Sequence, residues 1–351
     1  MGLQLCDYIW IDGATPVAQV RSKGRVLFSK GEELTLDEVP LWNFDGSSCY
    51  QSEGWASDLL LQPVCLVKDP FKEEGAYLVL CEVLNPDGTP HKTNMRHKLR
   101  QVLEKVDPTL DPWMGFEQEY TLFQEGRPLG WPESGEPQPQ GPYYCAVGTG
   151  LAFGRDLVDA HGAACIVAGL AYYGYNAEVM PSQWEFQMGY RGCPGEDVGA
   201  LRMADHLWIA RWLLHRISED FGVVVSFDNK PLKGDWNGAG MHTNYSTRET
   251  RQKGSGMEAI QTYIGRLERR HKDHIKVYGD RLEERLTGLH ETCSIHEFRW
   301  GASDRGSSIR IPQQVALEGC GYLEDRRPGA NADPYAVAAA LIATTTEDIT
   351  A

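Results

Sequence analysis

Basic residues are in short supply. The 351-residue chain has 34 Lys and Arg against 49 Asp and Glu, a formal net charge of −15. Polyanions are gripped through local positive charge, so neither nucleic acid nor an anionic membrane surface is expected as a main partner. Long apolar runs are missing as well. The longest apolar-and-small stretch, Gly162–Tyr175, falls short of the roughly 20 residues of a spanning helix. Met1–Tyr8 has neither a basic start nor an apolar core, so no export leader is expected. The nine cysteines are scattered and form no Cys-x-x-Cys pair. That argues against a zinc site or a disulfide framework and for a reducing, cytoplasmic setting. There is no Walker loop, no dinucleotide Gly-x-Gly-x-x-Gly after a strand and no Gly-x-Ser-x-Gly elbow. Any nucleotide chemistry must use another scaffold.

What is present is an ordinary globular composition, 42% hydrophobic and 24% charged. The first ninety residues read as strands and turns, with strands over Tyr8–Asp12 and Leu78–Val83 and a turn at Asn85–Gly88. A helix follows over Asn94–Val106, then a strand over Phe116–Phe123 and a Pro/Gly-rich loop over Glu125–Pro142. Helices are expected over Arg155–Tyr173, Ala204–Phe221, Met257–Lys276 and Pro334–Thr345, and strands over Tyr175–Met180, Gln183–Met188, Gly222–Asp228 and Gly240–Tyr245. The Ala204–Phe221 helix reads as amphipathic, with Ile209, Leu213, Ile217 and Phe221 stepping by four. Strands and helices do not alternate regularly, so the class is α+β, with domains expected at 1–90 and 91–351.

The chemistry lies in acids placed inside apolar strands. In Phe116–Tyr120, Glu117 and Glu119 share one strand face while Phe116, Gln118 and Tyr120 share the other. Glu185 and Gln187 likewise oppose Trp184, Phe186 and Met188, Glu178 sits between Ala177 and Val179, and Glu324 precedes Arg326 and Arg327. One such Glu is most simply a solvated strand residue. Several apolar strands with acids on one face need a cation, and hard ions such as Mg²⁺ or Mn²⁺ suit carboxylates. His242, after the glycine turn Gly238-Ala239-Gly240, is a further ligand candidate. Arg285, Arg305, Arg310, Arg326 and Arg327 lie among Gly, Ser and Thr, which suits carboxylate and phosphate oxygens. Gly288–Thr292 reads as a loop that can close over a site and bring Glu291 to it.

Together these residues resemble glutamine synthetase of the type II, eukaryotic-like form, from about Tyr8 to Ile342. The strings that carry the resemblance are Trp42–Ser48, Phe116–Tyr120, Gly141–Cys145, Asn176–Pro181, Gln183–Gln187, Asn237–Asn244, Arg285–Gly288, Ser308–Pro312 and Glu324–Pro328, in this order. The resemblance implies a β-grasp-like N-terminal domain and a larger catalytic domain with a mainly antiparallel sheet flanked by helices. It implies ATP-dependent ligation of glutamate and ammonium, with two to three Mg²⁺ or Mn²⁺ ions per site. By the same likeness, one metal lies among Glu119, Glu178 and Glu185, and another among Glu117, His242 and Glu324. Trp236, Asn237, Gly238, Arg285 and Arg326 would hold glutamate. Trp113, Asn244, Ser246, Arg305, Arg310 and Tyr322 would hold ATP. Asp45, with Ser48, would come from a neighbouring subunit and bind ammonium, and Glu291 would take the last proton. The implied assembly is a homo-oligomer, a decamer of two pentameric rings with active sites between subunits.

The chain departs from the family's pattern in three places. Fewer residues precede Tyr8, in a segment that contributes to ring contacts. The stretch Arg191–Ala200 is longer than the family's loop, and Asp304 stands where Asn is usual, in position for a salt bridge with Arg305. The rival readings are a γ-glutamyl ligase for a larger amine, a non-catalytic scaffold of the same fold, and a guanidino kinase, which would lack the Asp45 region.

Overall fold

The structure, a computed structural model, describes residues 2–31, 33–72 and 75–346. Five strands open the chain: β1 (Gly2–Ile11), β2 (Val20–Ser29), β3 (Trp42–Asp45), β4 (Asp58–Lys68) and β5 (Ala76–Leu84). They form one sheet in the order β2-β1-β5-β4-β3, with β1 parallel to β5 and the other neighbours antiparallel. Cys6, Tyr8 and Trp10 of β1 turn to one face, where they meet Tyr77, Val79 and Cys81 in a small core. The opposite face carries Ile9, Leu78 and Leu80 into a second, larger core that runs through the rest of the molecule. Burial on both faces explains why β5 reads as a continuous apolar run rather than an alternating one.

Helix α1 (Met95–Leu103) joins the two parts. Asn94 caps it, accepting from the His97 N–H at 2.9 Å, and its amide donates to Glu82 and to the Val83 carbonyl, each at 3.2 Å. Arg96 spans the junction. It reaches Glu82 of β5 at 2.8 Å and Asp205 at 2.8 Å, and Asp205 also accepts from the Tyr335 hydroxyl at 2.6 Å. Asn94→Ala removes the cap and leaves buried partners short of a donor. It is expected to cost about 1–2 kcal/mol. Chemical denaturation checks this as a lower midpoint at unchanged slope, with Asn94→Ser recovering part of the loss.

The second sheet has nine described strands: β6 (Trp113–Gln124), β7 (Arg127–Pro128), β8 (Tyr172–Ala177), β9 (Gln183–Met188), β10 (Val224–Ser226), β11 (Met241–Ser246), β12 (Trp300–Ala302), β13 (Ile309–Ile311) and β14 (Leu323–Asp325). Its path is β12-β13-β14-β11-β6-β9-β8, with β7 and β10 also paired to β6. Among the described residues, β12 and β13 are its one parallel pair, so the sheet is mainly antiparallel as expected. The helices are α2 (Arg155–Val167), α3 (Ala200–Phe221), α4 (Gly256–Arg269), α5 (His271–Ile275), α6 (Leu282–Arg285), α7 (Gln313–Glu318) and α8 (Pro334–Thr345). The last of these has the bounds expected from sequence.

Three expectations change. The helix read over Arg155–Tyr173 stops at Val167, because Gly169 takes a left-handed φ of 74° and the chain then enters β8. The helix read over Met257–Lys276 breaks at Arg270 into α4 and α5. α3 is not a surface amphipathic helix. Every residue from Met203 to Leu214 is buried, including Asp205, His206 and Arg211, and Phe221 at its end is exposed. The residues stepping by four are core only as far as Ile217. Among the described residues, no helix is long and apolar enough to cross a membrane.

Candidate active site

Sheet register assembles most of the site. On β6, Phe116, Gln118 and Tyr120 are fully buried in the core, and Glu117 and Glu119 project from the other face. Directly opposed residues of neighbouring strands share a face. Glu117 pairs with His242 of β11, Glu119 with Glu185 of β9, and Glu324 of β14 with Asn244 and Arg310. Loops and α6 bring in Glu178, Asn237, Gly238, Arg285, Glu291, Arg305 and Arg326, and all of these except Asn244 line one pocket. The glycine turn has a definite purpose here. A Cβ on Gly240 would collide with the Arg285 guanidinium, and one on Gly238 would stand 2.7 Å from the Arg285 Cγ. The glycines admit Arg285.

Two sets of ligand atoms converge. Those of Glu117, His242 and Glu324 lie within 4.8 Å of one another, as do those of Glu119, Glu185 and His242. The first is the expected set. The second has His242 where Glu178 was expected; Glu178 Oε1 accepts from Asn176 Nδ2 at 2.8 Å. Glu178 still faces the same pocket. The chemistry of the donors fits a hard divalent cation. Six carboxylates and four guanidinium groups line the pocket, a formal excess of two negative charges.

The protonation states tell the same story. Burial, then Glu119, push the Glu178 carboxyl up to about 8. Burial and the neighbouring glutamates push Glu185 well above the carboxylate range, and burial raises Glu119 against the pull of Arg285. Burial holds His242 well below its ordinary value, so the ring is neutral. Arg285 Nη2 stands 3.0 Å from His242 Nε2. Arginine only donates, so Nε2 accepts and the ring proton sits on Nδ1. Nδ1 in turn faces Glu324 at 3.4 Å and Glu117 at 3.5 Å.

The arginines interleave with these groups. Arg326 Nη1 reaches Glu324 at 2.7 Å, its Nε the Arg305 carbonyl at 3.1 Å and its Nη2 the Glu291 carbonyl at 3.4 Å. Arg310 pairs with the other Glu324 oxygen. Arg305 stands 3.6 Å from Glu291, whose loop carries two successive non-glycine residues in left-handed backbone, His290 and Glu291. Such strain is held only where the surroundings over-determine it. Asp304 does not pair with Arg305. Its Oδ1 accepts the Gly306 N–H at 2.9 Å and shapes the turn.

Thirteen of the twenty residues expected from sequence line this pocket. Asn244 touches its edge, donating to Glu117 at 2.9 Å while its buried Oδ1 has no partner. Tyr322 senses the Glu117 and Glu324 charges. Trp113 lies four residues before Glu117, packed between Tyr190 (5.1 Å between rings) and the Arg251 guanidinium (4.0 Å). Ser246 accepts from Arg251 at 2.9 Å. Trp236 packs on Trp131 at 5.1 Å. Asp45 and Ser48 lie elsewhere, on and beside β3, the edge strand of the first sheet. Asp45 is exposed, and the Ser47 and Ser48 hydroxyls, each at 2.6 Å, hold its carboxyl below the usual range.

Five lining residues were not singled out as site residues: Tyr144, Asn176, Gln187, His290 and Thr292. Gln187 was readable, because it shares the Glu185 face two residues on, and its amide donates to Glu185 at 2.5 Å. Gln140, from the Pro/Gly-rich loop, bonds both the backbone N–H (2.7 Å) and the side chain (3.1 Å) of Asn237. Pattern alone does not give that contact.

The architecture is that of a two-part α+β protein in which a small five-stranded module joins a domain whose mainly antiparallel sheet carries a carboxylate- and arginine-lined pocket. The description "Glutamine synthetase, beta-Grasp domain" matches residues 2–86, and "Glutamine synthetase, catalytic domain" matches residues 92–262. The chain is 53% identical to a glutamine synthetase of Emericella nidulans, covering 96% of this chain and 90% of the relative. It is 52% identical to one of Streptomyces viridochromogenes, covering 96% and 95%, and 53% identical to one of Xenopus laevis, covering 96% and 84%. A solved structure described as "Apo GmaS without ligand" shares the fold, with a TM-score of 0.72, 20% identity, and coverage of 96% of this chain and 76% of that one. The chain belongs to the glutamine synthetase family.

Proposed function

We propose that this chain ligates L-glutamate and ammonia into L-glutamine with ATP hydrolysed to ADP and phosphate. The observation that carries the reading is one pocket lined both by groups that could hold a divalent cation and by four guanidinium groups. Arg285 and Arg326, with Trp236, Asn237 and Gly238, orient glutamate so that its side-chain carboxylate meets the terminal phosphoryl group of ATP. Arg305 and Arg310, with Asn244, Ser246, Trp113 and Tyr322, hold the nucleotide. Phosphoryl transfer gives γ-glutamyl phosphate and ADP, and ammonia then displaces phosphate. Arginine forks offset the charge that builds on the transferring group. Mg²⁺ or Mn²⁺, held by Glu117, His242 and Glu324 and by Glu119, Glu178 and Glu185, would supply Lewis-acid neutralisation of the phosphoryl oxygens. Glu291, on its loop, shields the acyl phosphate from water and accepts the last proton.

Asp45, aided by Ser48, binds ammonium in the pocket of a neighbouring subunit. Two facts support this: Asp45 does not line its own pocket, and it is exposed on an edge strand with its carboxylate kept ionised. The assembly is a homo-oligomer, read as two stacked pentameric rings, which native mass measurement checks. The free state of all nine cysteines agrees with a reducing cytoplasm. The domain division is placed at 1–90 and 91–351.

The test is phosphate release dependent on glutamate, ATP and a divalent ion, with ammonium compared against larger amines and glutamine identified as the product. Release with no amine at all, or only with a larger one, sinks the reading. Asp45→Ala removes a charge-assisted contact, and the apparent KM for ammonium is expected to rise about 10–100-fold. The effect should shrink at higher pH, where more of the substrate is uncharged ammonia. Steady-state kinetics at neutral and alkaline pH read both.

A further inference from the structure

Behind β6, on the side away from the active-site pocket, a cleft of about 310 Å³ separates the β1–β2 turn from the catalytic domain. One wall is the turn Val17–Val20 and the other is Trp208, Arg211 and His215 of α3 with Phe227. Arg211 is only 3% exposed. Its Nε and Nη2 donate to Gln118 Oε1 at 2.9 and 2.5 Å, and Nη2 also reaches the carbonyls of Ala330 and Ala332 at 3.0 Å. Nη2 also meets Met241 Sδ at 3.3 Å; among the described residues Nη1 donates to no protein acceptor and no carboxylate oxygen lies within 4.0 Å of the guanidinium. The carboxylate it senses is Asp333, which already accepts from the Tyr335 N–H at 2.8 Å.

The rest of the lining suits an organic body. The Arg211 guanidinium stands 4.7 Å from the Trp208 ring centre and 5.2 Å from that of Phe227. His215 packs edge-on to Phe227 at 5.5 Å, and among the described residues its side chain has no hydrogen-bond partner. Burial and Arg211 lower its pKa to about 4, so the neutral ring offers one N–H. At the mouth, Arg281 pairs with Asp228 and also stands 3.6 Å from both Asp280 and Glu284. The buried guanidinium is met by the Gln118 amide, two carbonyls, the Met241 sulfur and ring faces, with Asp333 as the carboxylate it senses, and an anion on the remaining Nη1 would add a charge-assisted hydrogen bond. The volume lies at the small end of ligand sites.

We propose that this cleft binds a small organic anion, a carboxylate on an aromatic or apolar body. Arg211 Nη1 and His215 take the carboxylate, and Trp208 and Phe227 cover the body. The proposal stands apart from the ligase reaction, because its residues belong to none of that machinery.

Isothermal titration of the full chain tests it, with benzoate as the probe and benzyl alcohol as the neutral control. Saturating Mg²⁺, ADP and glutamate occupy the active site throughout. Benzoate is expected to bind once per chain, about tenfold more tightly than benzyl alcohol. Gln19→Trp fills the cleft from an exposed turn position and should weaken benzoate at least about fivefold at unchanged melting temperature. Arg211→Lys keeps the charge but loses the fork, and should weaken binding wherever melting shows it folded. The proposal is overturned by no saturable binding up to about 10 mM, by equal binding of benzyl alcohol, or by benzoate binding that survives Gln19→Trp unchanged. Binding seen only when glutamate and ADP are omitted also overturns it, since the active-site arginines would then be the receptor.

Discussion

Replacing Arg326 by alanine is expected to lower the glutamate-, ATP- and ammonium-dependent rate by about 10²–10³-fold, chiefly in kcat. The side chain is a junction. It contacts Glu324, a candidate metal ligand, the carbonyl of Arg305 and the carbonyl of Glu291, so one guanidinium ties these three parts of the pocket together. Its loss removes charge where a phosphoryl group would pass and frees Glu324 to swing. Arg326→Lys should recover little, because a point charge cannot make three divergent contacts. Parallel titration of glutamate and ATP in both variants reads the split. A fall confined to KM for one substrate, with kcat intact, would mean that Arg326 only binds.

The second large effect couples metal to pH. Glu178, at about 8, and Glu185, pushed well above the carboxylate range by burial, carry protons in the metal-free fold that they lack when unfolded above the ordinary carboxylate value. Their folded values are raised, so their contribution to stability is full below about 4.5 and is lost as pH climbs through their folded values. The metal-free protein is therefore expected to melt at lower temperature as pH rises from 6 to 8. Mg²⁺ or Mn²⁺ should oppose this, and its melting-temperature gain should widen over the same window, because ligation requires the deprotonated carboxylates. If His242 ligates through Nδ1, its ring proton shifts to Nε2 and the Arg285 contact there must rearrange. Calorimetry in buffers of different ionisation heat should detect the released protons. Glu185→Gln mimics the neutral acid. It should flatten the pH dependence without metal, narrow the metal-induced gain and cut activity by about 10²-fold or more. An unchanged metal response in this variant would remove Glu185 from the ligand set.

How much of this was legible in the sequence depends on the range of the contact. The two faces of β6 follow from a period of two, so Glu117 and Glu119 could be assigned together before any strand was paired. His242 opposite Glu117 needed the register of β11, which only long-range packing fixes. α8, apolar all round and opened by Asp333-Pro334, was readable to the residue because cap and composition agree. α3 misled because a four-residue step describes one stripe, whereas the fold buries the remaining faces through the Arg96–Asp205 and Arg211–Gln118 contacts. Residues at the margin of the pocket, such as Gln140 and Tyr144, come from irregular loops, where no periodicity reports direction. Asp45 is the extreme case. Its motif is conspicuous, yet nothing within one chain brings it to the carboxylates.

Both broad faces of the first sheet reach a core, one closing on its own small cluster and the other feeding Ile9, Leu78 and Leu80 into the main one, while Leu3, Val26 and Phe28 at the β1–β2 end stay exposed. The two parts of the chain therefore share a core, bolted by Arg96 across Glu82 and Asp205. Such a junction has no soft bending mode, because swinging one part would tear open packed apolar surface rather than slide a polar interface. Substrate exchange must then come from small excursions of loops at the pocket rim, above all the strained His290–Glu291 segment and the turn before Arg305. The expected signature is fast hydrogen exchange confined to those two loops, with the strands beneath them and the sheet-to-sheet junction protected to nearly the same degree as the deepest core.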